Sequence, residues 1–496
     1  MESIRRLHEE ILKREYKAEK QRKEEMRYDQ MDCLLLAGEE KTERTIPVCE
    51  TVFPEKFADL NAVREVLLTP EKQVYALIAP AFMGQFGEGV SPGAIRAALK
   101  RAGFSGMVEV AVFADILTLK EALEFDRHVN RDTDFLLTSC CCPVWVSMIR
   151  NIYGELVPHM PGAVSPMIAA GRAVKKMHPD AVTVFIGPCL AKKKEAKEPD
   201  ICDAIDVVLT FQETAMLFEA MGIAPQQMEE DASEHSSGAG RIYARTGGVS
   251  EAVVRTVEQL HPGRKIAVRP MQADGGKACK QMIEAIQEGK TEANFFEGMG
   301  CVGGCVGGPR ALLPREEGSA YVDHYGKEAL YQTPLENPYV IELLEKLGFS
   351  DFHELIEAAP ELFGTPRYNE DSYVIVRRWH GSGESGHPAD SFFGNKNIIL
   401  NDDIIEMSQQ SLYALTKVLG TGLTVQEMKQ EIYESFSRAK DEGKLDFMYD
   451  RYVFPIGYCT DGYLVNGIIT KNISPRGKSL YFSFEKTQIY SSTVQA

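Results

Sequence analysis

Val182-Thr183-Val184-Phe185-Ile186-Gly187-Pro188-Cys189 is the stretch whose reading decides the fold. Val182 to Ile186 is short, β-branched and apolar, the pattern of a strand buried on both faces. It runs directly into Gly-Pro-Cys. Asp134 to Leu137 reads as a strand in the same way, leading into Thr138-Ser139-Cys140-Cys141-Cys142-Pro143-Val144-Trp145. Further out, Val74 to Ala79 (VYALIA) and Met107 to Phe113 (MVEVAVF) read as strands and Leu117 to Val129 as a helix. Ser91-Pro92 supplies an N-cap with proline at the first helical position, Gly103 a stop, and Ser165-Pro166 a second helix start. Strands alternating with helices predict an α/β fold, with parallel or mixed sheets flanked by helices. Ligands of open α/β sheets bind beyond the carboxyl ends of the strands, and both cysteine motifs fall there.

The 496 residues suggest three domains, or two large ones. Residues 1–50 form a charged N-terminal segment whose helical stripe is Ile4, Leu7, Ile11 and Leu12. Residues 51–366 carry the α/β pattern. Within them, 225–240 reads as a polar surface loop, and Arg310 to Pro366 as turns with one helix, Pro338 to Leu347. The composition shifts near Arg367, and 367–496 reads as a small C-terminal α+β domain with strands such as Tyr373–Val376 and Leu480–Phe484. Its glycine-rich stretch Trp379 to His387 reads as a surface loop without a ligand. A net charge of −17 argues against nucleic acid and anionic membranes as partners. No apolar run approaches the ~18 residues of a membrane span. The charged start Met1-Glu2-Ser3 lacks the apolar core of a secretory signal, so the expected location is cytoplasmic.

Eleven cysteines are too few for a disulfide scaffold, and their clustering points to metal or redox chemistry. Besides the triple cysteine there are Gly187-Pro188-Cys189-Leu190-Ala191-Lys192-Lys193-Lys194-Glu195 and Glu297 to Pro309 (EGMGCVGGCVGGP). A four-iron cluster needs four converging thiolates, and three loops can supply them. Cys301 and Cys305 stand four apart, so a helical turn would place both sulfurs on one side. Six glycines between Gly298 and Gly308 would let the backbone approach a bulky inorganic group. Lys192 to Lys194 place positive charge beside Cys189. Zinc is the weaker alternative, because only Cys301 and Cys305 form a pair of the usual spacing. The chain lacks the Cys-x-x-Cys-x-x-Cys run of a ferredoxin insert, so one cluster is expected.

Over roughly Thr51 to Pro366, these motifs in this order resemble the catalytic domain of the [FeFe]-hydrogenases. Ala79-Pro80-Ala81, Ser237-Gly238-Ala239-Gly240 and Thr246-Gly247-Gly248-Val249 agree with it. The resemblance implies an H-cluster between two lobes: a [4Fe-4S] cube joined through a cysteine sulfur to a diiron unit with CO, cyanide and an azadithiolate bridge. Cys142, Cys189, Cys301 and Cys305 match the cube's ligands, and Cys305 the shared sulfur. Cys141 matches the cysteine that exchanges protons with the bridging amine. Lys192, Met299, Pro80 and Ala81 match groups around the diiron unit, Lys192 holding a cyanide. Glu121 and Glu124 match the carboxylates of the proton path, and their spacing puts them on one helix face.

The chain departs from the family pattern at several points. Cys140 is an extra cysteine, Gly187 replaces a methionine, and Ala81 stands where some members have serine. Pro161 falls where the proton path has a serine, and proline has no hydroxyl to relay a proton. The implied function is a hydrogenase interconverting H2 with protons and electrons. A hydrogen sensor of low turnover and an iron–sulfur assembly factor are the alternatives. The implied partners are a ferredoxin-like electron carrier or a signalling partner, and maturation proteins for the diiron unit.

Overall fold

The computed structural model describes residues 4–15, 49–198, 201–229, 235–357, 362–364, 427, 434, 451–458, 463–474 and 477–488. The chain divides into two compact units, Met1–Val146 with His159–Gly364, and Ser147–Pro158 with Thr365–Ala496. Tyr373–Val376, the Trp379–His387 stretch, Cys33 and Cys459 lie outside the described residues.

The first unit holds two parallel sheets. One has the order β2-β1-β4-β5, from β1 (Val74–Ile78), β2 (Gly106–Glu109), β4 (Val182–Gly187) and β5 (Val207–Thr210). The other has the order β3-β7-β6, from β3 (Leu136–Leu137), β6 (Pro270–Asp274) and β7 (Phe295–Met299). β1 is buried along its whole length between β2 and β4, which is why its sequence shows no alternation. The helix Pro92–Arg101 starts as expected, with Ser91 Oγ accepting from Ala94 N at 3.0 Å. It ends before Gly103, whose φ of 97° suits glycine. A second helix runs from Pro166 to Met177. The N-terminal helix Ile4–Glu15 buries Ile4 and Ile11, and its Arg5 pairs with Glu345 at 2.6 Å.

Three expectations need correction. Val110–Phe113, expected as the end of a strand, begins the helix Val110–His128. Every residue of that helix from Val110 to Phe125 is buried, so no apolar stripe marks it and periodicity cannot separate it from a strand. The expected surface loop 225–240 ends instead with His235 to Gly240 buried, because Glu109 and Asp115 draw the Ser236 and Ser237 groups inward. Residues 310–366 contain a second helix, Arg315–Lys327, whose buried residues are mostly small or aromatic. Glycine and the charged first turn hide it in the sequence.

In the second unit, β8 (Arg451–Tyr458), β9 (Tyr463–Ser474) and β10 (Gly477–Gln488) form an antiparallel meander with β9 in the middle. The irregularity between Pro455 and Gly457 falls on edge strand β8, where proline is tolerated.

Candidate metal centre

Each cysteine segment leaves the carboxyl end of a parallel strand. After β3, Ser139 takes a φ of 71°, the sole positive φ of a residue other than glycine among the described residues. That left-handed residue turns the chain so that Cys142 precedes the helix opening at Pro143. Cys142 Sγ accepts from Gly300 N at 3.2 Å and also from the Val144 and Trp145 backbone at the helix start. Backbone N–H groups at a helix N-terminus favour a thiolate. Trp145 Nε1 donates to Thr138 O at 2.8 Å. A Cβ at Gly298 would collide with the Trp145 indole, and one at Gly300 would stand 2.5 Å from Val144. These two glycines therefore let β7 lie against the triple-cysteine loop.

Cys301 and Cys305 do not share a regular helical turn. Gly303 and Gly304 adopt φ of 85° and 83°, and a short 3-10 turn covers Gly304–Gly307. Two left-handed residues in succession need glycine, so the spacing serves a tight reversal.

The four expected cube ligands come together. Cys305 feels the charge of Cys189, Cys142 and Cys301; Cys301 feels Cys189 and Cys142; and Cys142 feels Cys189. All six pairs among four thiols from three segments are thus electrostatically coupled. Burial and this mutual repulsion push Cys301 up to about 11 and Cys305 well above the usual thiol range. Such a group ionises when a cation compensates it. Among the described residues, no three His, Cys, Asp or Glu side chains converge tightly enough to hold one ion. A zinc ion would require its four sulfurs at ~2.3 Å from a single point. Four thiols from three segments that sense one another suit the four corners of an iron–sulfur cube.

Around them lie the groups expected beside a diiron unit. Lys192 is buried, with Nζ 2.6 Å from Glu195 Oε2. Among the described residues, Glu195 is the one partner of the three donors of its ammonium. Burial opposes its charge, but Glu195, Cys141 and Cys189 outweigh that and hold the ammonium above its ordinary range. A buried ammonium with unused donors suits an anionic ligand such as cyanide. Met299 and Cys141 belong to one buried apolar cluster. Pro80 opens a 3-10 turn after β1, with Ala81 fully buried in it. A Cβ at Gly187 would stand 2.7 Å from the Phe185 ring, so that ring takes the room a larger side chain would need.

Glu121 accepts from Thr138 Oγ1 and, at 3.3 Å, from Cys140 Sγ. Burial raises its pKa to about 7. The sulfur bonded to Glu121 is therefore the extra cysteine, Cys140. Glu124, buried one turn on, is ion-paired with Lys120. Sequence reading missed two groups. Lys120 hides among helical apolar residues, and Tyr243 looks like core. Tyr243 OH lies 2.8 Å from Thr118 Oγ1, and its pKa is raised by burial and by the neighbouring Glu121, Cys140 and Cys141.

Two parallel α/β sheets delivering four coupled thiols define an iron–sulfur class of domain. Residues 72–309 match the family described as the iron only hydrogenase large subunit, C-terminal domain. The NADP-reducing hydrogenase subunit HndD of Solidesulfovibrio fructosivorans is 30% identical over 364 residues, 61% of either chain. The periplasmic [Fe] hydrogenase large subunit of Nitratidesulfovibrio vulgaris is 30% identical over 289 residues, 48% of this chain and 69% of that one. The solved [FeFe]-hydrogenase HydA1 from Chlamydomonas reinhardtii superposes with a TM-score of 0.52 at 23% identity, covering 62% of this chain and 98% of that one. A more distant relative is the cytosolic iron–sulfur assembly component 3 of Bos taurus, 22% identical over 382 residues, 64% of this chain and 79% of that one. The chain belongs to the iron-only hydrogenase family, and it spans under two thirds of the length of HndD. Among the described residues, no helix is long and apolar enough to cross a membrane.

Proposed function

We propose that this chain is a hydrogenase that interconverts H2 with protons and electrons at an H-cluster. The carrying observation is the pairwise coupling of four thiols beside a buried lysine whose charge Cys141 and Cys189 also feel. Cys142, Cys189, Cys301 and Cys305 would hold the cube, with Cys305 shared with the diiron unit. When bound, the cluster supplies the metal centre at which H2 is made or split. Lys192 would hold a cyanide ligand, and Met299, Pro80 and Ala81 would exclude water around it. Cys141 holds the proton nearest the reacting centre, and Glu121 resupplies it. Electrons would enter from a soluble ferredoxin-like carrier at the half-buried ligands Cys189 and Cys301. The exposed apolar residues Leu190 and Val302 beside them, and Val144 against Gly300, support that route.

A hydrogen sensor of low turnover is the second reading. Its support is Pro161 in place of a hydroxyl and a Glu124 carboxylate tied to Lys120. The assembly-factor reading is less favoured, because conventional clusters give no role to Lys192 and Cys141.

Infrared spectroscopy and iron analysis test the proposal. Reconstitution alone should give four irons per chain, and full maturation six, with CO and cyanide bands. A matured, folded protein without those bands would overturn the H-cluster reading. Eight or more irons would mean a second cluster.

A further inference from the structure

The turn between Cys301 and Cys305 is held from outside. Gly303 and Gly304 have φ of 85° and 83°, and glycine carries little conformational preference of its own. Hydrogen bonds around Gly303 make the choice. Gly303 N donates to Asp274 Oδ2 at 2.9 Å, and Thr246 Oγ1 donates to the same oxygen at 2.9 Å. Thr246 N in turn donates to Gly303 O at 3.2 Å. The next residue fits as closely, since a Cβ on Gly304 would stand 2.7 Å from Thr246 N.

Asp274 would ordinarily be used differently. It ends β6 opposite Met299 of β7 and is the N-cap of the helix Gly275–Gln287. Aspartate at an N-cap usually accepts from the backbone of the first turn, and here its side chain makes no such bond. The oxygen suited to capping the helix is given to the cysteine turn instead. Thr246 is fixed as well, because the neighbouring Gly247 N donates to Glu297 on β7 at 2.7 Å. The turn is thus braced between the end of β6 and the loop that opens the helix Gly248–Leu260.

We propose that Asp274 is a positioning residue for the iron–sulfur cube, fixing the Cys301–Cys305 turn through the Gly303 N–H, with Thr246 as its second anchor. It acts through the backbone of the turn rather than as a ligand. Removing a group that orients metal ligands typically costs ~10–100-fold in metal affinity. What the turn needs is an acceptor oxygen at the reach of an aspartate; a negative charge is not required. The inference rests on the reading that Cys301 and Cys305 bind a cube. Iron content of the unmodified chain tests that reading, and the ratio of iron loss between variants tests this one, so the two fail separately.

The experiment reconstitutes the full-length chain with its cube alone and follows iron loss to a ferrous chelator, together with the EPR spectrum of the reduced cube. Asp274→Ala should lose iron ~10-fold faster, the low end for such groups, and broaden the spectrum. Asp274→Asn keeps an oxygen that can accept from both donors, so it should retain iron at the unmodified rate with the unmodified spectrum. Asp274→Ser would cap the helix well but stops one bond short of Gly303, so it should lose iron as fast as the alanine variant. Iron loss from Asp274→Ala at the unmodified rate would overturn the proposal. So would an asparagine variant as leaky as alanine, which would make charge the cause. A serine variant as retentive as the unmodified chain would also overturn it, by making helix capping the cause. Asp274→Ser supplies the same comparison with Asp274→Asn should the alanine variant fail to fold.

Discussion

One helix, Val110–His128, borders two kinds of buried polar chemistry. At its start, both carboxylates are fully engaged. Glu109 accepts from Arg96 at 3.1 Å, Ser236 Oγ at 2.7 Å and Tyr325 OH at 2.8 Å. Asp115 accepts from Ser237 N at 2.7 Å, Gly240 N at 2.8 Å and the Ser237 hydroxyl. Farther along, and on the loop after β3, Glu124 Oε2 and Ser139 Oγ have no hydrogen-bond partner. Saturated groups fix the scaffold, because each has given its bonding capacity to the fold. Groups left short cost stability and are best explained by a ligand or a moving proton.

The largest expected effect lies at the saturated end. Burial disfavours a charge on Glu109, but Arg96, His235 and Arg241 outweigh it and hold the carboxyl below its usual range. Glu109→Ala would remove the buried carboxylate that Arg96, Ser236 and Tyr325 share, a loss of about 4 kcal/mol. Removing both charges at the other end, in Lys120→Met/Glu124→Gln, should change stability by no more than ~1 kcal/mol. Urea unfolding of the two variants checks the contrast. Equal losses would erase the distinction between the two halves.

The next effect is pH dependence at Glu121, whose carboxyl is raised from 4.5 to about 7 by burial. Below pH 4.5 the group is protonated in both states and costs nothing. As pH rises through 7, the unfolded chain has released the proton that the native one retains, so native stability falls. The window spans 2.5 pH units, or about 3 kcal/mol at 1.36 kcal/mol per unit. The stability of Glu121→Gln relative to the unmodified chain should therefore rise by about that amount between pH 4.5 and 7.5. A flat difference would mean that Glu121 titrates normally.

Much of the site could be read before the fold, because it rests on local rules. A strand running into Gly-Pro-Cys, a Ser-Pro helix start and a Glu pair three residues apart need no tertiary knowledge. The hidden parts depend on contacts distant in sequence. Val110–Phe113 is helical although its apolar run suits either structure, and burial on all sides erased its stripe. Ser236 and Ser237 are inside because Glu109 and Asp115, more than a hundred residues away, accept from them. Lys120 is ordinary in a list of helical residues; its burial beside Glu124 makes it informative. Cys140 reads in sequence as a surplus cysteine, and it is the thiol that meets Glu121.

The smallest effect concerns Ser139, and there the usual sign reverses. Its φ of 71° is costly for any side chain, and its buried hydroxyl is without a hydrogen bond. Substituting a buried residue normally destabilises a protein. Ser139→Ala removes an unpaired polar atom and should stabilise by about 1 kcal/mol. Ser139→Gly also relieves the left-handed strain, partly offset by glycine's greater freedom when unfolded, for a further ~0.5 kcal/mol. Urea unfolding followed by fluorescence of the buried Trp145 reads both variants. Gains in that order would show that the loop holds Ser139 at a cost to the fold, as expected where the chain must turn Cys141 and Cys142 toward a ligand. If both variants lose stability, the Ser139 hydroxyl has a partner, and this position belongs with the saturated scaffold.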